Sequence, residues 1–107
     1  MKVVFLRSAE ADLMDLRRYI VKNFGTGTWA ASYGKIKDSI AIIAAHPHAG
    51  RIPGELESLD IGQYRQVISG LNRIIYEVRE DTIYIHVVCD TRRDLKNLLM
   101  RRMTGPR

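Results

Sequence analysis

Arginines, acids and tyrosines in the C-terminal half of this sequence match the residue types that metal-free RNA cleavage requires. Transfer of a phosphodiester from a 2′-hydroxyl needs a base, an acid for the leaving oxygen, and cations for the charge that develops on phosphorus. Arg65, Arg73, Arg92 and Arg93 are candidate cations. Asp90, Glu77 or His86 is the candidate base, and Tyr84 or Tyr64 the candidate acid. Ordinary strand-surface charge accounts for the same residues, because sequence does not show that these side chains converge.

Other chemistries find less support. His46 and His48 share a loop with Glu55 and Glu57, but no cysteine pair or HExxH spacing accompanies them, so a structural role is expected and no metal site. Gly25-Thr26-Gly27 lacks the preceding strand and following lysine of a phosphate loop. The single cysteine, Cys89, has no intramolecular partner and sits in an apolar run, where it reads as a small buried hydrophobe. No cofactor is expected.

The elements that must position these residues centre on Asn72–Leu95. Ile74, Tyr76 and Val78 alternate with Arg73, Ile75, Glu77 and Arg79; beyond Glu80-Asp81, Ile83, Ile85, Val87 and Cys89 alternate with Tyr84, His86, Val88 and Asp90. Two paired strands are predicted, delivering the turn Asp90–Asp94 to a last helix. Upstream, residues 2–6 suit a first strand and Ser8 a helix N-cap. Ala9, Leu13, Leu16, Ile20 and Phe24 form one helical stripe, with Asp12, Asp15, Arg18 and Lys22 mostly off it. Gly25 ends that helix. Thr28 is the expected cap of a second, striped by Trp29, Tyr33, Ile36, Ile40 and Ile43 and stopped by His46-Pro47. A connector of about four residues requires an antiparallel helical hairpin, and Trp29 is expected to pack across its tip. His46–Asp60 reads as irregular, Tyr64–Ile68 as strand and Ser69–Asn72 as turn. The order is β-α-α-β-β-β-α: an α+β domain spanning 1–107, with the helical hairpin on one face of a small antiparallel sheet.

A chain of 107 residues is one domain's length, and such a domain buries roughly 65% of its unfolded surface. No apolar run reaches the about 20 residues of a membrane helix, and charges arrive too early for a secretory leader; a cytoplasmic protein without membrane contact is expected. The net charge of +5 concentrates at the end, where Arg92, Arg93, Lys96, Arg101, Arg102 and Arg107 face one acid, Asp94. Such a segment suits an acidic partner, or is a solvated helix tail.

Ser8-x2-Ala11-Asp12-Leu13, Tyr19-Ile20, Pro47-x2-Gly50-Arg51, Tyr64-Arg65, Ile74-Ile75-Tyr76 and Arg93-Asp94 occur in order along the chain. This series resembles the RelE/ParE superfamily of bacterial type II toxin–antitoxin toxins over almost the whole length. The resemblance implies a helical hairpin against an antiparallel sheet, and one of two activities: RelE-like members cleave mRNA in the ribosomal A site, whereas ParE-like members inhibit DNA gyrase without nuclease activity. The long hairpin, residues 8–45, is similar to the ParE branch. RelE-like toxins tend to carry Tyr or His near the C-terminus, and the last sixteen residues here hold neither. Many relatives have His before x-x-Arg-Asp, where this chain has Asp90, which repels phosphate. The resemblance therefore implies a gyrase inhibitor without an active site of its own, neutralised by a cognate antitoxin. A ribosome-dependent mRNA interferase is the alternative, and a decayed toxin that only binds antitoxin a third. Expected partner-contacting residues are Arg65, Arg92, Arg93, Lys96, Arg101 and Arg102, engaging gyrase or its DNA. Leu98, Leu99 and Met103, with gaps along the hairpin, are the expected antitoxin docking points.

Overall fold

The computed structural model describes residues 1–57 and 62–104. Strand β1 (Lys2–Phe5) leads into helix α1 (Arg7–Phe24) and helix α2 (Thr26–Ala45). A single 3-10 turn at Gly54–Leu56 precedes strands β2 (Tyr64–Ser69), β3 (Asn72–Arg79) and β4 (Thr82–Asp90) and helix α3 (Leu95–Thr104). The predicted element order is observed. The sheet runs β1-β4-β3-β2, and β2, β3 and β4 form the expected antiparallel meander. It is nevertheless mixed, because β1 lies parallel to β4, pairing Val3 with Ile83 and Phe5 with Ile85. The α1–α2 hairpin forces this direction by returning the chain to the side from which β1 started.

Local signals moved at three places. Helix α1 begins at Arg7 after an extended Leu6, with no side-chain cap, so Ser8 lies inside the first turn. Gly25 alone separates the helices, held at φ +93°, a conformation that strongly favours glycine. The connector is thus shorter than expected, and the Thr28 hydroxyl donates backward to the Phe24 carbonyl rather than capping α2. Trp29 stacks on Tyr33 one turn along its own helix, with ring centroids 5.3 Å apart.

Two cores sandwich the sheet. On the hairpin face Ala9, Ile36 and Ile43 pack against Ile74, Tyr76, Ile83, Ile85 and Val88, with Leu13, Leu16 and Ile40 at the border. On the opposite face Leu95, Leu98 and Leu99 of α3, with Leu56, cover Tyr64, Ile75, Val87 and Cys89. The strict alternation expected of β4 fails between these sets. Ile85 pairs with Tyr76 and Val87 with Ile75, leaving His86 as an extra residue. This β-bulge turns His86 and Val87 to the same side, so Val88 joins the hairpin core while Val87 and Cys89 join the α3 core.

Candidate functional site

β1 pairs with β4 only as far as Ile85, and two backbone groups of β4 beyond that point are met by side chains instead. The Val88 N–H donates to Asp12 Oδ2 at 3.0 Å, and the His86 carbonyl accepts from Arg102 Nη1 at 2.8 Å. Arg102 also grips Asp12 with both terminal nitrogens, at 2.9 and 2.6 Å. Helices α1 and α3 therefore meet over the bulge through one forked ion pair. Asp12 stands three residues after Ala9 and four before Leu16, which puts it on the buried stripe rather than off it.

A second arginine is internal. Arg73, only 5% exposed, pairs through both terminal nitrogens with Glu55, at 3.1 and 3.0 Å. It also donates to the Arg93 carbonyl at 2.7 Å. Arg73's hydrogen bonds hold the Glu55 carboxyl below the ordinary glutamate range. Nearby Cys89 is buried, and that burial pushes its thiol up and away from thiolate chemistry. Asp94 caps α3: its Oδ1 accepts the Asn97 N–H at 3.1 Å. The loop carrying Pro47-x2-Gly50-Arg51 is fastened to the sheet, since the Tyr76 hydroxyl donates to the Pro47 carbonyl and accepts the Gly50 N–H, at 2.8 and 2.9 Å. A Cβ on Gly50 would stand 2.5 Å from that hydroxyl, so only glycine fits. Arg65 donates to the Gly50 carbonyl at 2.9 Å, which makes it a fastener of the same loop.

Beside α3, Glu77 Oε1 lies 2.9 Å from His86 Nε2 and 3.0 Å from Arg79 Nη2. Tyr64 meets the His86 ring edge-on at 5.0 Å, and Arg79 lies over the Tyr84 ring at 5.1 Å. Burial alone pushes the Glu77 carboxyl up, but the hydrogen bonds from Arg79 and His86 outweigh it and hold the group below its ordinary range. Four candidate acid–base residues thus do converge with one cation, Arg79. Arg79 was not among the expected cations, and three that were are engaged elsewhere: Arg73 with Glu55, Arg65 with Gly50 and Arg92 with Asp90.

Asp90 and Arg92 form their own pair at the end of β4. Arg92 donates from its backbone N–H and from Nε to Asp90 Oδ1, at 2.7 and 3.0 Å. Hydrogen bonding from Arg92 holds the Asp90 carboxyl down. The pair borders two adjoining clefts of about 630 and 410 Å³ that share Leu16, Tyr19, Asp90 and Arg92. Together they make a groove between α1 and the β2–β3 turn. Tyr19, Phe24 and Leu71, which are 57%, 62% and 78% exposed, supply its apolar rim; Lys35, Arg92 and Arg93 line it with positive charge, and Asp12, Asp15 and Asp90 with negative charge.

A family model described as the ParE toxin of type II toxin–antitoxin systems, parDE, matches residues 3–95. The chain belongs to the ParE toxin family. Its fold is similar to that of a solved chain from the "Chromosomal ParDE TA system from P. aeruginosa", with a TM-score of 0.68 and 20% identity over 84% of this chain and 95% of that one. No curated protein sequence matches the chain.

In this ParE-family chain the expected contact residues divide. Arg92, Arg93, Lys96 and Arg101 are exposed along the turn and α3, and Met103 is 41% exposed. Arg102 and Arg65 are instead engaged inside the fold. Leu98 and Leu99, at 5% and 2% exposure, are buried against the sheet and offer no docking surface while α3 is seated. Arg107 lies outside the described residues. Asp12 and Tyr76 do not stand among the expected site residues; the place of Asp12 on the apolar stripe of α1 is the signal for the first.

Proposed function

We propose that this ParE-family toxin inhibits DNA gyrase by binding it through Arg92, Arg93, Lys96 and Arg101, and that a cognate antitoxin neutralises it. The family match over residues 3–95 carries the reading. The exposed cationic turn and helix suit an acidic surface or DNA held by the enzyme. The groove beside α1 suits the antitoxin: its apolar rim and its mixed lining of Lys35, Arg92 and Arg93 with Asp12, Asp15 and Asp90 complement a segment that pairs apolar side chains with charges of both signs. Because Arg92 and Arg93 belong to both surfaces, an occupied groove would withhold them from gyrase. Purified toxin should block supercoiling and stabilise cleaved DNA; full supercoiling at saturating toxin sinks the idea. Replacing Arg93, Lys96 and Arg101 by Ala should raise the toxin concentration needed for inhibition, with antitoxin binding largely kept.

The Glu77–His86–Tyr64 cluster favours a second reading, ribosome-dependent mRNA cleavage, because it gathers a base and an acid beside Arg79. Its side chains are deeply set, with His86 14% and Glu77 12% exposed, which leaves little of either for a phosphodiester to reach. Cuts in ribosome-bound message that vanish in His86→Gln would put this reading first. A chain that binds antitoxin yet leaves both gyrase and message intact would be a binding module alone.

A further inference from the structure

We propose that Asp12 is a positioning residue for toxin activity, acting through Arg102 to fix α3 and the basic surface it carries. The inference rests on the reading that this surface engages the target.

Helix α3 has ten residues, a length at which an isolated helix is marginal in water. Its apolar hold is one stripe, Leu95, Leu98 and Leu99. A single stripe seats a helix but allows it to rock about its own axis, and nothing in it pins the last turn. Arg102 lies in that turn. Its fork reaches Asp12, 90 residues away in sequence, and the His86 carbonyl at the bulge. Forked guanidinium–carboxylate pairing sets direction as well as distance, because both nitrogens must be met in one plane. Asp12 is itself fixed by the Val88 N–H. The orientation of Lys96 and Arg101 relative to Arg92 and Arg93 thus depends on a carboxylate that belongs to α1 and need not touch the target. The pair is well shielded, with side-chain exposures of 14% for Asp12 and 24% for Arg102, so water competes with it only weakly.

The test compares Asp12→Ala, Asp12→Asn, Arg102→Ala and the double variant in two measurements, at a temperature where all are folded. Asp12→Asn keeps an oxygen for the Val88 N–H and removes only the charge, so it remains informative if Asp12→Ala misfolds. In gyrase supercoiling, the toxin concentration for half-inhibition should rise about tenfold in each single variant, between the loss expected for an exposed ion pair and that for a fully buried one. The double variant should be no worse than Arg102→Ala, because Asp12 acts through Arg102. In hydrogen exchange, α3 amides should lose protection while α2 amides keep theirs. Additive losses, or an unchanged half-inhibiting concentration in Asp12→Asn, overturn the positioning role. If wild-type toxin itself leaves gyrase untouched, the functional reading fails, and exchange alone decides the lock. Unchanged α3 protection in Asp12→Asn and Arg102→Ala then overturns it.

Discussion

The two faces of the sheet are held by different physics. The hairpin face is an apolar interlock in which Ile36, Ile43, Ile74, Ile83 and Ile85 are fully buried. Its polar contributions are the Tyr76 hydroxyl, aimed at the Gly50 loop, and Arg65, which grips that same loop. The α3 face mixes three leucines with buried charge: Arg73 on Glu55, Glu77 between His86 and Arg79, and Arg102 on Asp12. The hairpin face depends on volume, which is indifferent to pH and salt. The α3 face depends on geometry and protonation. Stability belongs mainly to the first, and placement of the exposed basic residues to the second.

Truncation should separate the faces most sharply. Ile85→Ala empties a fully buried site between the sheet and the hairpin and should destabilise by about 3–4 kcal/mol in urea unfolding. Leu99→Ala on the other face should cost about 2–3 kcal/mol, because a short helix settles toward the gap more readily than a hairpin does. Equal losses would mean that α3 is as rigidly packed as the hairpin. Next comes Arg73→Met, expected to destabilise by about 2 kcal/mol, since Glu55 is partly solvated once freed while the Arg93 carbonyl loses its donor.

The pH response should be smaller and should come mainly from the α3 face, since the other depressed carboxyl described, Asp90, is partly exposed beside Arg92. Glu55 and Glu77 both have carboxyls held below the ordinary value of 4.5 in the folded chain. A depressed pKa means the unfolded chain takes up these protons first, so their stabilisation is complete above that value and fades as pH falls through and below it. Melting temperature should therefore drop on acidification below about pH 4.5, and Glu55→Gln should flatten the drop. An acid slope unchanged by Glu55→Gln and Glu77→Gln would assign it to other carboxylates. The smallest effect belongs to Lys96→Ala, an exposed change expected to move stability by less than about 0.5 kcal/mol.

Periodicity made the hairpin face legible before any coordinates. Ala9, Leu13, Leu16, Ile20, Ile36, Ile40 and Ile43 recur at helical spacing, and burial follows that stripe until Phe24, which lies out on the groove rim. The α3 face was not legible, because its organising feature is an extra residue. An alternating run of Ile, Val and Cys contains no mark that His86 is an extra residue in the ladder, so strict alternation puts Val87, Val88 and Cys89 on the wrong sides. Charge was equally opaque. Arg101 and Arg102 are adjacent and chemically identical, yet one is exposed and the other forks onto Asp12; contact across 90 residues has no local signature. The ordered motifs mark the family, and the structure supplies their physical work. Asp12 serves the bulge, Gly50 makes room for Tyr76, Arg65 fastens the loop, and Asp94 caps α3.

The extra residue in β4 also sets which insertions and deletions the strand can absorb. Losing His86 alone would leave Ile85, Val87, Val88 and Cys89 in ordinary alternation, each still facing its present core. Losing Val87 would do the same, because His86 faces the same side, whereas losing any other residue between Ile83 and Cys89 would turn part of the strand inside out.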